Sequence, residues 1–110
     1  MGYKLKITIS DRTLNKVIIN SSKLRREYGT ENAKKIIQRY NELENIPNLE
    51  MMVRFRIGRC HLLKGNLKGK YALDLVHPFR MIIEPIFDNE NRELKNVVSV
   101  SIVKMEDYHG

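Results

Sequence analysis

The run Lys4-Leu5-Lys6-Ile7-Thr8-Ile9 alternates charged or polar side chains with apolar ones, the two-residue period of a strand with one buried face. After it the period lengthens. Leu14, Val17, Ile18, Leu24 and Tyr28 fall on one helical face, with Asp11 placed to cap its start. The stretch Ile18-Ile19-Asn20-Ser21-Ser22 propagates a helix poorly, so a kink or break is predicted there, with Ser21 or Ser22 recapping the second piece. Gly29 offers the left-handed geometry of a helix terminus. Thr30 caps a second helix with the stripe Ala33, Ile36, Ile37, Tyr40 and Leu43; Lys34, Lys35, Gln38, Arg39 and Glu42 occupy its other face. Pro47 either stops that helix or opens a short one from Asn48 to Val53. Two antiparallel helices joined at Gly29-Thr30 are the simplest arrangement of residues 11–46.

Beyond Arg54 the period returns to two. Arg59 to Leu63 reads as a strand, Gly65 to Gly69 as a hairpin turn, and Tyr71 to Val76 as the returning strand. His77-Pro78 turns the chain into a strand from Phe79 to Ile86, where Pro85 predicts an edge or a bulge. A polar loop over 88–93 leads to a last strand, Val97 to Met105, with Val98, Val100 and Ile102 on one side and Ser99 and Ser101 on the other. Helices followed by a strand meander predict an α+β fold: two N-terminal helices packed on one face of a mainly antiparallel, twisted sheet. No internal repeat or linker divides residues 1–110, so one domain is expected.

Composition adds a direction. Twenty Lys and Arg against thirteen Asp and Glu give a net charge of +7, and six of those seven charges lie between Arg54 and Arg80. That quarter holds seven basic residues and one acid, Asp74. Such a surface suits a polyanion, because neutralising phosphates releases counterions; an anionic membrane or an acidic partner protein would use the same charge. One cysteine, Cys60, excludes an intramolecular disulfide and a multi-cysteine metal site, and agrees with a reducing compartment. No apolar run approaches the roughly 20 residues of a membrane span, and the N-terminus lacks a secretory core. A cytoplasmic location, no membrane partner, no metal and no cofactor are therefore expected.

Within the basic quarter, Gly58-Arg59-Cys60-His61-Leu62-Leu63-Lys64-Gly65 sets an imidazole three residues from an ammonium. The chain's last residues add Asp107, Tyr108 and His109. RNA is cut without metal when its 2′-hydroxyl attacks the adjacent phosphate, which needs a base, an acid and cations for the developing charge. Histidine serves both proton transfers because it titrates near neutrality. His61 with Lys64, and His109 with Asp107 and Tyr108, are the candidate reactive groups. Each also has a plainer reading: exposed strand residues beside a turn, and a frayed tail. Arg80, among apolar residues, needs a partner if buried, and Glu84 competes with a phosphate for it. Lys68, Lys70, Arg54, Arg56 and Arg59 are candidate phosphate contacts or solvated charges. His77 reads as structural or solvated, and Cys60 as packed.

The order Arg-Glu-Tyr-Gly (26–29), Cys-His-Leu-Leu-Lys-Gly (60–65), Gly-Lys-Tyr-Ala-Leu-Asp-Leu (69–75), His-Pro-Phe-Arg-Met-Ile-Ile-Glu-Pro (77–85) and Asp-Tyr-His (107–109) resembles HigB. These are host-inhibition toxins, or plasmid-maintenance killer proteins, of the RelE/ParE superfamily of toxin–antitoxin systems. The resemblance spans essentially the whole chain. It implies a RelE-like, microbial-RNase-like α+β fold and an mRNA interferase that cleaves in the A site of the 30S ribosome, leaving a 2′,3′-cyclic phosphate. It also implies neutralisation by a HigA-like helix-turn-helix antitoxin. The family's His-x-x-Lys and Asp-Tyr-His fall on His61, Lys64, Asp107, Tyr108 and His109. His109 and His61 would move protons, Asp107 would act as base or orienter, Lys64 would stabilise phosphate charge, and Tyr108 would stack on a base or hydrogen-bond the phosphate. Arg80 matches the arginine of the family's Pro-Tyr-Arg-Leu strand. Leu62 and Asn66 replace residues that are acidic in many relatives. The competing reading, a ParE-like toxin that binds DNA gyrase without cutting, has no use for the His/Lys and Asp-Tyr-His set; a basic module that only binds RNA is a third.

Overall fold

The structure is a computed structural model and describes residues 4–87 and 92–108. Chain reversal after β1 (Lys6–Ile9) begins at Asp11, whose carboxylate accepts the N–H groups of Thr13 and Leu14 and starts α1 (Arg12–Ile18). The expected break falls at Ile19-Asn20. Asn20, rather than either serine, caps α2 (Ser21–Tyr28) by accepting from the Lys23 N–H. Gly29 has φ +83° and serves as the cap residue of both α2 and α3 (Thr30–Glu44), so Thr30 is the first helical residue and not a side-chain cap. The segment expected to hold two helices thus holds three. A fourth, α4 (Leu49–Arg54), starts where the Asn48 side chain accepts from the Met51 N–H.

The sheet contains β1, β2 (His61–Leu62), β3 (Tyr71–Asp74), β4 (Phe79–Pro85) and β5 (Ser99–Asp107), ordered β1-β5-β4-β3-β2. Three pairings are antiparallel, but β1 runs parallel to β5, so the sheet is mixed. The strand expected over 59–63 shortens to two residues; its start is lost where Arg59 takes positive φ (53°), continuing the left-handed positions Arg56 (52°) and Gly58 (60°), outside the extended region of a regular strand. Pro85 ends β4, a central strand; the irregularity lies earlier, where Ile82 faces Lys104 but Ile83 faces Ile102. Val103 is the extra residue of this bulge. The final strand also begins later than expected, leaving Val98 exposed and burying Val97.

One sheet face packs on the helices. Leu24, Ile36, Leu43, Leu49 and Met52 meet Leu73, Met81, Ile83, Val100 and Ile102 in the main core. The opposite face carries only a small cluster, Leu63, Ala72 and Ile82, flanked by Leu67 and Val103. Around it this face carries mainly polar side chains, among them Arg80, Glu84, Lys104 and Glu106. Helix α3 departs from its simple stripe: Ile37 is exposed, whereas Asn32 and Arg39 are buried. Both polar side chains point at the end of β3. Asn32 accepts the Val76 N–H at 2.9 Å, and Arg39 donates from Nε to the Asp74 carbonyl at 2.7 Å and from Nη1 to Glu42 at 2.7 Å.

Burial of an unpartnered amide costs its full desolvation. Asn32→Leu, which keeps the γ-branched shape but takes the acceptor from the partly buried Val76 N–H, is expected to lower stability by about 1 kcal/mol. The urea midpoint, compared with wild type at unchanged m, measures it.

Candidate functional site

On the open sheet face, at the ends of β3, β4 and β5, lies a cleft of about 320 Å³. Arg59, His61, Asp74, Leu75, His77, Pro78, Phe79, Arg80 and Tyr108 line it. The register explains the gathering. Side chains directly across a ladder share a face, so the pairs His61–Ala72, Asp74–Arg80 and Arg80–Glu106 are carried on the side of Ala72 and Ile82, away from the helices. The bulge at Val103 sets Glu106 opposite Arg80 while returning Met105 to the main core. Tyr108 then follows two residues after Glu106, and its N–H donates to the Pro78 carbonyl at 2.9 Å.

His61 is held through its ring. Nδ1 lies 2.8 Å from the Arg59 carbonyl, which can only accept, so Nδ1 carries the hydrogen. In the neutral ring that leaves the Nε2 lone pair free to take a proton. The left-handed Arg59 backbone presents that carbonyl, and the Arg59 guanidinium meets Asp74 through two bonds, 2.7 and 3.0 Å. A left-handed non-glycine residue costs roughly 1–2 kcal/mol, and two of them, Arg56 and Arg59, lie on either side of Gly58 within the five residues that precede His61. Gly58 is required on a second count, because a Cβ there would meet Arg39 Nε at 2.7 Å.

Arg80 is mostly buried and compensated. Its guanidinium lies 2.6 and 3.0 Å from a Glu106 oxygen and stacks over the Tyr108 ring, 4.2 Å from the centroid. Glu106 is thus the partner that Glu84 was expected to be; Glu84 instead pairs with Lys70 at 3.0 Å. Lys104 reaches the second Glu106 oxygen at 3.1 Å. Burial alone would raise the Glu106 carboxyl, but the bonds from Arg80 and Lys104 outweigh it and hold the group below its usual value.

The other expected residues lie around this cleft in different ways. Lys64 is exposed and has no ion pair with a described residue; Asp107 pairs in register with Phe79; neither lines the cleft. His109 is outside the described residues. Lys68 is exposed in the β2–β3 turn, and Arg54 lies 5.8 Å from the Phe55 ring. Arg56 lines a neighbouring hollow of about 360 Å³ with Val53, Arg59, Cys60, His61 and Leu62, so His61 stands between two recesses. Burial pushes the Cys60 thiol up to about 12, which leaves it unreactive. Asp74, His77 and Glu106 were not among the expected site residues, since only the strand register brings them to Arg59, His61 and Arg80. Among the described residues no three His, Cys, Asp or Glu side chains converge as metal ligands would. A roomier groove of about 450 Å³ between β1, α1 and α3 is lined largely by isoleucines, with Tyr40 its sole ionisable side chain.

The fold is similar to that of the YoeB toxin. The chain superposes on a chain of the YoeB–YefM complex from Staphylococcus aureus with a TM-score of 0.51 at 24% identity, covering 97% of this chain and 99% of that one. The heterotetrameric YoeB–YefM toxin–antitoxin complex from Staphylococcus aureus matches with the same score, identity and coverage. No family model and no curated protein matches the sequence.

Two outcomes follow from these environments. Because the folded Glu106 carboxyl lies below its usual 4.5, its pairing contributes fully above about pH 4.5 and is lost as the pH falls through the folded value. The Tm advantage of wild type over Glu106→Gln should therefore be largest near neutrality and shrink below about pH 4. Cys60 should resist iodoacetamide at pH 8 in the native protein and react on unfolding, as mass spectrometry would record.

Proposed function

We propose that this chain is a HigB-type toxin of a type II toxin–antitoxin pair, a metal-independent endoribonuclease that cuts mRNA in the ribosomal A site. The observation that carries the reading is a histidine with a free Nε2 sharing one cleft with two arginines and a stacked tyrosine. The YoeB-type fold and the motif resemblance support it.

In this reading the mRNA phosphate enters between Arg59 and Arg80. His61 Nε2 accepts the 2′-hydroxyl proton as the 2′-oxygen attacks phosphorus. Lys64 approaches the non-bridging oxygens, where negative charge accumulates. The exposed face of Tyr108, backed by Arg80, stacks on a base. The terminal Asp107 and His109 complete the site, His109 as a proton carrier and Asp107 as base or orienter. Lys68, Lys70, Arg54 and Arg56 track the phosphate backbone, so affinity falls with salt. A HigA-like helix-turn-helix antitoxin neutralises the toxin, and the pair works in the cytoplasm.

Brief expression followed by mapping of mRNA 5′ ends tests the activity. Codon-phased cuts in translated messages are expected; supercoiling defects with intact mRNA would replace this reading with the ParE-like gyrase binder. His61→Ala should slow cleavage by about 10²–10⁴. Lys64→Ala and His109→Ala should relieve toxicity while folding and antitoxin binding persist, and full toxicity in a chain ending before Asp107 would remove the terminal residues from the site.

A further inference from the structure

The β3–β4 turn is held more firmly than an idle turn requires. Helix α3 directs two of its buried polar side chains at it: Arg39 holds the Asp74 carbonyl and Asn32 the Val76 N–H. From the other side the Tyr108 N–H holds the Pro78 carbonyl, and the turn closes on itself through Phe79 N–H to Val76 O at 2.8 Å. At the centre of this clamp stands His77, exposed and lining the same cleft as His61. Satisfying the backbone of β3 where it leaves the sheet explains the bonds. It does not explain why an imidazole crowns the most tightly restrained part of the cleft wall.

We propose that His77 is a second proton-transfer residue of this cleft, acting on the leaving oxygen while His61 acts on the attacking one. The proposal rests on the nuclease reading and extends it. His61, protonated on Nδ1 and open at Nε2, is preset as the base. A metal-free cut also needs an acid, and His77 is the other imidazole among the described residues that line the cleft, so it, with His109 left to relay protons, is assigned the leaving oxygen. The 2′-oxygen bonds to phosphorus as its proton passes to His61 Nε2. The P–O5′ bond breaks with both electrons leaving on O5′, which takes a proton from the His77 imidazolium. The products are a 2′,3′-cyclic phosphate and a free 5′-hydroxyl. Clamping by Asn32 and Arg39 matters because misplacing the acid forfeits most of its effect.

The test is single-turnover cleavage of ribosome-bound mRNA carrying either a normal scissile linkage or one in which sulfur replaces the bridging O5′. A thiolate leaves without protonation, so it bypasses an acid but not a base. His77→Ala and the more conservative His77→Gln should cut the normal linkage about 10²–10⁴-fold more slowly and recover to near the wild-type rate on the sulfur linkage, whereas His61→Ala should recover on neither. Wild-type rates in both His77 variants, or equal slowing on the two linkages, would overturn the proposal and leave the nuclease reading intact. A wild-type chain that cuts neither linkage would remove both.

Discussion

A buried guanidinium must have its charge compensated and its buried N–H groups bonded, and Arg39 finds a carboxylate for its charge and a carbonyl for Nε at one junction of this fold. Glu42, one helical turn on, takes Nη1, and the carbonyl of Asp74 takes Nε. The side chain lies so close under Gly58 that a single methyl group there would collide with it. The arginine therefore ties together helix α3, the end of β3 and the left-handed loop that precedes His61. Removing one partner of such a pair leaves a charge stranded in the interior. The spacing of the cleft walls follows from this contact, because one wall grows from the Asp74 end of β3 and another from Arg59.

A second constraint comes from the sheet. Were the ladder to run on through Val103 without the bulge, every side chain of β5 beyond it would change face. Glu106 would then be buried against the helices and Arg80 would lose its partner. With the bulge in place, Met105 stays in the core and Glu106, Arg80 and Tyr108 build one stack on the open face. The opposed demands of core and cleft are thus met within the four residues from Met105 to Tyr108.

The cleft is also less positive than the composition implies. Arg59 and Arg80, two of the seven basic residues of the central segment, are each occupied by a carboxylate, Asp74 or Glu106. The guanidiniums are thereby oriented, and an arriving phosphate must compete with or join those pairs. The Arg59 pair is largely exposed and so contributes little stability; it is the easier of the two to exchange. The enclosed Arg80 pair acts as scaffold for the tyrosine above it.

Local patterns in the chain were sufficient for the approximate places of β1, β3, β4 and β5, the break before Asn20, the cap at Asp11 and the glycine terminus at position 29, because each depends on neighbours within four residues; the strand expected over 59–63 kept only His61 and Leu62. They also marked His61, Arg80 and Tyr108, whose residue types suit phosphate chemistry. Helical spacing misjudged Arg39 and Ile37, since amphipathic counting assumes that buried means apolar and no carbonyl awaiting a donor can be seen from a helix alone. Glu106 as the partner of Arg80, Asp74 as the partner of Arg59, and His77 as part of the cleft depend on strand register and on one bulged residue. Those are relations between segments far apart in the chain, and only the packed sheet decides them.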